Sequence, residues 1–222
     1  MIRLWIGMGL RKRLLLPVMA VLAPLVLGVL FLPERITGET FWYAMAANIA
    51  VLVILVGILE PSFRRSVGRD FQRAIPRKLV IGAVSAVVLY AVFYGGNWLS
   101  RKLFPGADAG IQAVYRLKEG VPVRTIVLLL VLVIGPGEEL FWRGFIQRGL
   151  AARFGAIPGL LLATALYAGL HAASGNPMML VAAAVCGLFW GWLYVRHHSV
   201  IVNILSHTLW DLAVFVVYPL AA

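Results

Sequence analysis

Seven long apolar stretches, separated by short polar segments, dominate the pattern of hydrophobic and polar positions along the chain. A membrane core about 30 Å thick requires roughly 20 apolar residues in helical form, and each stretch has about that length. A transmembrane barrel would show short alternating segments instead. The pattern predicts an all-α, polytopic transmembrane helix bundle of about seven spans: 14–32, 41–59, 79–99, a fourth from about 123, 157–173, 177–195 and 200–218.

The polar segments between the spans hold most of the basic residues. Basic residues are concentrated before the first span and in the segment 60–78. A charged start followed by an apolar run is also typical of signal peptides. However, the run 14–32 is longer than a signal core and no Ala-x-Ala site follows it, so we interpret it as the first span.

The segments around the fourth span carry two further local signals. Between the third and fourth spans, the segment 100–122 predicts a short amphipathic helix on the membrane surface, from the spacing of Ile111, Val114, Tyr115 and Lys118. Beyond the fourth span, Arg148 and Arg153 predict that the helix extends toward water, and Gly155 marks the turn that follows.

The distribution of basic residues predicts the orientation in the membrane. With the N-terminus in the cytoplasm, 14 of the 20 Lys and Arg residues lie in cytoplasmic segments and 6 on the other side. Cytoplasmic loops are enriched in these residues, so we expect the N-terminus inside, the C-terminus outside and seven crossings. The segment 100–122 holds four of those six and agrees least with this orientation.

Composition narrows the class of protein further. Hydrophobic residues make up 62% of 222 positions and charged residues 13%, and the mean hydropathy is +0.92, which excludes a soluble domain. The chain is therefore interpreted as one integral membrane domain, 1–222. A bacterial cytoplasmic (inner) membrane is the expected location. The basic residues that give the net charge of +11 lie in loops between the spans. They therefore predict the topology in the membrane and not nucleic-acid binding. The single cysteine, Cys186, can form no intrachain disulfide.

The fourth span contains ionisable residues at membrane depth, where such groups are costly and need a reason. Glu139 and Arg143 are four residues apart, so a helix can pair them on one face. Glu138 lies about 100° further round the helix and is left as the unpaired acid. Pro136, between Gly135 and Gly137, either opens the helix locally or only kinks it.

Three more polar side chains, His171, His207 and Asp211, lie in the late spans. Glu139 and His171 are each 16 residues from the turn at Gly155, so an antiparallel hairpin places both about 24 Å from its tip. His207 lies roughly 15 Å from the turn that precedes the last span, and Asp211 follows it on the same helical face. All four groups are expected at one depth, in the cytoplasmic half.

Each polar group also has a structural explanation. A single histidine in a span often only bonds a neighbouring helix, and the pairs Glu139–Arg143 and His207–Asp211 could be purely structural. A carboxylate and two imidazoles at one depth are nevertheless suited to activating water. By ligand type they could also bind a divalent metal such as zinc, although no His-Glu-x-x-His motif is present and metal is not required.

Three motifs in the late spans resemble those of the CAAX-protease and bacteriocin-processing family of intramembrane proteases. Two glutamates followed by arginine appear as Glu138-Glu139-x-x-x-Arg143. The second motif, usually led by phenylalanine, reads Tyr167-x-x-x-His171, and the third reads His207-x-x-x-Asp211. The resemblance covers about 123–218, which would form the catalytic core, while 1–122 would add three spans and loops.

The resemblance implies a role for each motif residue. Glu138 and His171 would activate the attacking water, and Arg143 would hold Glu139. His207 and the residue at 211 would stabilise the tetrahedral intermediate. The family has asparagine or aspartate at that position. Asparagine can donate a hydrogen bond to the oxyanion, whereas an ionised Asp211 would repel it. Asp211 must therefore be protonated, orient His207 or bind metal. Tyr167 retains the aromatic wall and adds a hydroxyl.

The resemblance predicts an endopeptidase with a chamber that opens toward the cytoplasm. Its partners would be membrane lipid and a peptide or protein substrate, with a prenylated C-terminus, a bacteriocin leader and a membrane-anchored signalling protein all open. The family has been described both as metal-dependent and as metal-independent, and both remain open here. Two alternatives are a non-enzymatic immunity or assembly factor and a proton-coupled transporter.

Small and aromatic residues in the sixth span predict its packing. Gly187 and Gly191, four residues apart, predict a face that packs closely on a neighbouring helix. Trp190, Trp192 and Tyr194 are expected to be anchors at the membrane interface.

Overall fold

The computed structural model describes residues 10–32, 37–72 and 74–220. These residues form helices and turns without a strand. Arg3, Arg35 and Arg73, which the topology prediction counted, lie outside the described residues. The helices, numbered in chain order, are α1 (Leu10–Gly28), α2 (Gly38–Leu59), α3 (Pro61–Phe71), α4 (Ile75–Leu103), α5 (Ala107–Arg116), α6 (Val123–Phe154), α7 (Ala156–His171), α8 (Pro177–His197) and α9 (Val200–Leu212).

In the described part of the chain, seven helical segments are long and apolar enough to cross a membrane, which confirms the predicted all-α bundle. A 3₁₀ turn, Val29–Phe31, extends the first span, and a π turn, Ala213–Val217, extends the last. The third span is longer than predicted, because α4 continues past both apolar ends of 79–99. Lys and Arg at such ends reach water with their long side chains, so the helix need not stop there.

The basic end of the bundle, which we define as the end that carries α3 and the turn at 198–199, is held by one aspartate. Asp70 forms an ion pair with Lys78 at 2.6 Å. Its Oδ2 accepts hydrogen bonds from the Ser199 hydroxyl and the Ile201 amide, both at 3.1 Å. Amides in the first turn of a helix lack partners within the helix. Asp70 therefore caps α9 and joins it to the segment 60–78.

At the opposite end of the bundle, which we call the α5 end, side chains of α5 and the turn after it donate hydrogen bonds to main-chain carbonyls at the end of the last span. Tyr115 donates to the Val214 carbonyl at 3.0 Å, and Lys118 donates to that of Phe215 at 2.8 Å. The predicted amphipathic helix is thus present as α5, although it ends at Arg116 and Lys118 lies in the turn after it. These bonds place α5 over the end of the bundle.

Small residues bring neighbouring spans into contact. A β-carbon on Gly187 would lie 2.8 Å from the Thr164 side chain, and one on Gly191 would lie 3.0 Å from Leu160. A side chain at either position would force its neighbour to shift, which confirms that this face of α8 packs closely, here on α7. On the other side of the bundle, a β-carbon on Gly82 would lie 2.9 Å from Leu205, so α4 and α9 approach equally closely.

We expect Gly159→Ala to destabilise the hairpin of α6 and α7 by about 1–3 kcal/mol. A β-carbon at Gly159 would lie 2.4 Å from the Ala151 amide nitrogen, and main chain cannot move aside as a side chain can. Gly169→Ala is the matched control, because nothing lies within 4 Å of a β-carbon at that position in the same helix. Thermal unfolding in detergent measures both. Equal melting temperatures for the two variants would contradict the close approach.

Candidate active site

The fourth span changes its helical geometry on both sides of the glutamate pair. Two π segments, Leu130–Ile134 and Trp142–Gln147, flank the α-helical turn Gly135–Phe141. The Gly135 amide bonds to the Leu130 carbonyl, five residues back, and the helix remains continuous through Pro136. π segments inside α-helices are frequent at functional sites. The turn that holds Pro136 and Glu138 is itself α-helical, so the helix is wider on each side of Glu138 and not at it.

The two glycines beside Pro136 let other spans approach. A β-carbon on Gly135 would lie 2.6 Å from the Thr208 hydroxyl, and one on Gly137 would lie 3.0 Å from Ile49. The last span and α2 therefore pack directly against the main chain of α6. This contact brings the third motif, on the last span, to the level of Glu138.

Glu139 is fully buried and accepts hydrogen bonds from three side chains. Its Oε1 accepts from Arg143 at 3.0 Å and from His207 Nδ1 at 2.8 Å. Its Oε2 accepts from Asn203 Nδ2 at 3.1 Å. The expected pair of Glu139 and Arg143 is present, and the same carboxylate also accepts from His207.

Arg143 is also buried, and its second nitrogen lies near main-chain oxygens of α8. The distances are 3.5 Å to the Cys186 carbonyl and 3.4 Å to that of Gly187. Its guanidinium lies 5.1 Å from the centre of the Tyr167 ring. One arginine therefore neutralises Glu139 and links α6 to α7 and α8. Arginine suits this position because it remains charged and donates in several directions.

Glu138 has partners on two other helices, although within α6 it is the unpaired acid. Its Oε2 accepts a hydrogen bond from the Tyr167 hydroxyl at 3.2 Å. The same oxygen lies 3.8 Å from His207 Nε2. The hydroxyl that distinguishes Tyr167 from phenylalanine therefore contacts the first glutamate of the first motif.

His171 is oriented by its own helix. Its Nδ1 lies 2.9 Å from the Tyr167 carbonyl oxygen, and since a carbonyl only accepts, Nδ1 carries the hydrogen. Nε2 of a neutral ring then bears the lone pair. The ring of Phe31, at the end of the first span, packs on the imidazole with centroids 4.6 Å apart. His171 thus offers one basic nitrogen in a fixed orientation.

His207 lies between acids from two helices. Glu139 accepts from its Nδ1, while Nε2 lies 3.5 Å from Asp211 Oδ2 and 3.8 Å from Glu138. Among the three explanations for Asp211, this position agrees with orientation of His207. The Trp190 ring stacks on the imidazole at 3.7 Å and is only 1% exposed. The expectation that Trp190 is an interface anchor is wrong, because it faces the bundle interior.

A cavity of about 150 Å³, which we call the polar cavity, brings most of the predicted site together. Glu139 and Arg143 do not line it; Glu139 lies behind it and contacts His207, which does line it. The polar residues in its wall are five of the seven named from the motifs: Glu138, Tyr167, His171, His207 and Asp211. The predicted convergence of Glu138, His171, His207 and Asp211 at one level is therefore confirmed.

The polar cavity lies in the half of the bundle toward the α5 end. Its wall there includes Phe31 and Phe215 at the ends of the first and last spans, and Trp42 near the start of α2. Leu117 also lines it, and its carbonyl accepts from Trp42 Nε1 at 2.9 Å. The expected cytoplasmic-half level and the charge-based orientation therefore do not agree, because the cavity lies in the half away from the basic end. The distance along the helices from the hairpin tip predicted that the four polar residues share one level. It did not predict which half of the bundle contains the cavity that they line.

The geometry of the acidic and imidazole groups does not fit a resident metal. Within 10–32, 37–72 and 74–220, no group of three or more His, Cys, Asp or Glu side chains is arranged to hold a metal ion. A zinc site would need nitrogens and oxygens about 2.0–2.2 Å from one point.

Sequence reasoning missed Asn203, although a signal for it was present. Asn203 precedes His207 by four residues, just as Asp211 follows it by four, so the three polar residues form one stripe on the last span. The stripe faces α6 and α8 and is buried. Polar residues at this spacing in an apolar span indicate contacts inside the bundle.

For the hydrolysis that the resemblance implies, we expect Tyr167→Phe to lower kcat by about 10- to 100-fold, since it removes one hydrogen bond to a charged group. The ring that packs on His171, with centroids 5.0 Å apart, is retained. Tyr167→Ala removes the ring as well and should cost far more. Initial rates of peptide cleavage measure both. If the phenylalanine variant were as inactive as the alanine variant, the hydroxyl and not the ring would be the essential part.

Comparison with known proteins identifies the region that holds this site. Residues 121–213 match the family model described as type II CAAX prenyl endopeptidase Rce1-like. No curated protein and no solved structure matches the chain. All seven residues named from the three motifs lie in the matched region, so the resemblance to the CAAX-protease family is confirmed there. The matched family is a family of proteases, so the match supports a hydrolase as the general class of this protein.

Proposed function

We propose that this integral membrane protein is an endopeptidase that hydrolyses a peptide bond in a membrane-associated or lipidated protein or peptide. The observation that carries the proposal is the polar cavity, because it joins Glu138, His171, His207 and Asp211 within an apolar bundle. Ionisable residues at such depth are costly and mark functional sites. The segment 123–218 would be the catalytic core, with the first two spans completing its wall.

Glu138 and His171 would activate the attacking water. The Glu138 carboxylate would accept a proton from the water while the lone pair on His171 Nε2 accepts its second hydrogen. The oxygen would then bond to the scissile carbonyl carbon. In the second step Glu138 would return the proton to the leaving amine nitrogen as the carbon–nitrogen bond breaks. General base and acid roles in one carboxylate keep the proton in balance.

His207 would stabilise the oxyanion of the tetrahedral intermediate. Arg143 and Asn203 donate to Glu139, which supports a carboxylate there, so His207 Nδ1 donates to it. Nε2 of the imidazolium would then donate a hydrogen bond to the oxyanion. Asp211, 3.5 Å from Nε2, would orient the ring and balance its charge between turnovers. This role replaces the donation that asparagine could provide at that position.

The location would be a bacterial cytoplasmic membrane with the basic end inside, as the charge distribution predicts. The scissile bond would then enter the polar cavity from the side of α5, since the cavity lies in that half of the bundle. A substrate whose cleaved bond lies at the outer surface would fit this orientation.

The proposal is tested by incubating the purified, detergent-solubilised protein with a library of membrane-associated peptides, with and without a chelator. Cleavage that needs Glu138 and survives the chelator supports a glutamate-activated water. Loss of cleavage with the chelator would indicate a metal. If a folded wild-type protein cuts nothing and its cellular function survives Glu138→Gln, a non-enzymatic partner-binding role replaces the proposal. Dependence on a proton gradient would favour a transporter.

A further inference from the structure

Two buried residues outside the three motifs, Trp190 and Asn203, make contacts that converge on His207. Trp190 lies nearly parallel to the imidazole, at 3.7 Å and 22°. Asn203 acts through Glu139, the carboxylate that accepts from His207 Nδ1. We propose that Trp190 and Asn203 are positioning residues that hold the plane and the tautomer of His207. This inference rests on the hydrolysis proposed above.

Asn203 holds the carboxylate that holds His207. Its Nδ2 donates one hydrogen to Glu139 Oε2 at 3.1 Å and the other to the Trp190 carbonyl at 2.7 Å. Arg143 donates to the other oxygen of the same carboxylate. With both oxygens bound, the carboxylate cannot rotate, and Oε1 remains directed at Nδ1. A carboxylate only accepts, so Nδ1 retains its hydrogen and Nε2 is the nitrogen that faces the acids of the polar cavity.

Trp190 holds the plane of the ring. Its own indole is fixed by a hydrogen bond from Nε1 to the Ser206 hydroxyl at 3.2 Å. The imidazole packs against this immobile surface, so it cannot turn about its Cβ–Cγ bond without losing the stack. An aromatic face also attracts a cation, which favours the imidazolium that the proposed mechanism uses. The Arg143 guanidinium lies 5.6 Å from the same ring.

Such support is needed because two carboxylates compete for His207. Nε2 lies 3.5 Å from Asp211 and 3.8 Å from Glu138, slightly beyond hydrogen-bond distance from both. Both contacts are within ion-pair distance, and a small rotation would shorten one of them to a direct hydrogen bond. The hydrogen that should meet the oxyanion would then be occupied, or Glu138 would be blocked as a base. Trp190 and Asn203 keep the ring between these two positions.

The experiment compares kcat and KM for Asn203→Leu, Trp190→Leu, Trp190→Phe and Ser206→Ala, using the peptide that wild type cleaves. Neither Trp190 nor Asn203 lines the polar cavity, so KM should stay within about twofold while both leucine variants lower kcat about 10–100-fold. Trp190→Phe retains an aromatic face and should recover most of kcat. Ser206→Ala removes only the bond to the indole and should stay within about threefold of wild type.

The Trp190 variants keep the test valid if Asn203→Leu fails to fold, because they leave every hydrogen bond of Glu139 in place. Folding is checked by size-exclusion elution and melting temperature. Folded leucine variants with wild-type kcat, or with a change in KM alone, would overturn the positioning role. So would a Trp190→Phe variant as slow as Trp190→Leu. A wild type that cleaves nothing, or that cleaves equally well as Glu138→Gln, would instead overturn the proposed function.

Discussion

Glu138→Gln lowers kcat of peptide hydrolysis by about 10²–10⁴-fold, which is the usual contribution of a general base. An amide can neither accept the proton of the attacking water nor return it to the leaving amine. The substitution keeps the size of the side chain and an oxygen that can accept from Tyr167, which now donates at 3.2 Å. We therefore expect the variant to remain folded and to bind substrate with little change in KM.

The measurement is the rate of appearance of a cleaved peptide under single-turnover conditions, which separates chemistry from product release. Glu119→Gln is the control, because it makes the same chemical change at an exposed position after α5. It should leave the rate unaltered. Retention of more than about a tenth of the wild-type rate by folded Glu138→Gln would exclude Glu138 as the base.

Arg143→Met lowers the free energy of unfolding by about 3–5 kcal/mol, because it leaves the Glu139 carboxylate buried without its cation. The two side chains are 3% and 0% exposed, so water cannot replace the lost partner. The guanidinium also lies near two main-chain carbonyls of α8, which would lose a neighbouring donor. Methionine fills a similar volume without a charge, so cavity formation contributes little to the loss.

A double-mutant cycle separates the charge effect from packing. Glu139→Gln removes the buried negative charge, so the double variant with Arg143→Met should be less destabilised than the sum of the two single changes. Thermal unfolding of the four proteins in one detergent provides the comparison. Arg116→Met, at an exposed position of α5, should change stability by no more than about 0.5 kcal/mol. Additive effects at Glu139 and Arg143 would show that their pairing contributes nothing.

The spans and the motif residues could be read from the chain because they depend on local periodicity. Long apolar runs require helices in a membrane, since the main chain has no other way to satisfy its hydrogen bonds there. The pairing of Glu139 with Arg143 follows from helical geometry, because residues four apart share a face. Equal distances from the turn at Gly155 placed Glu139 and His171 at one level. These arguments use only distances along helices.

The contacts between helices could not be read in this way. Trp190 was expected at the membrane interface, yet it stacks on His207, because the rotation of α8 about its axis directs the ring inward. The Tyr167 hydroxyl reaches Glu138 only because α7 packs beside α6. Asn203 acquires its role from Glu139, 64 positions earlier in the chain. Periodicity predicts which residues share a face but not the neighbour that the face meets.

The sequence alone determined the membrane class, the number of spans and the common level of Glu138, His171, His207 and Asp211. Hydrophobic length and helical rise are sufficient for these properties. Only the tertiary structure decided that the polar cavity lies toward the α5 end, that Glu139 serves His207, and that Trp190 and Asn203 surround them. The physical reason is that helix rotation and tilt are set by close packing between spans, as at Gly135 against Thr208.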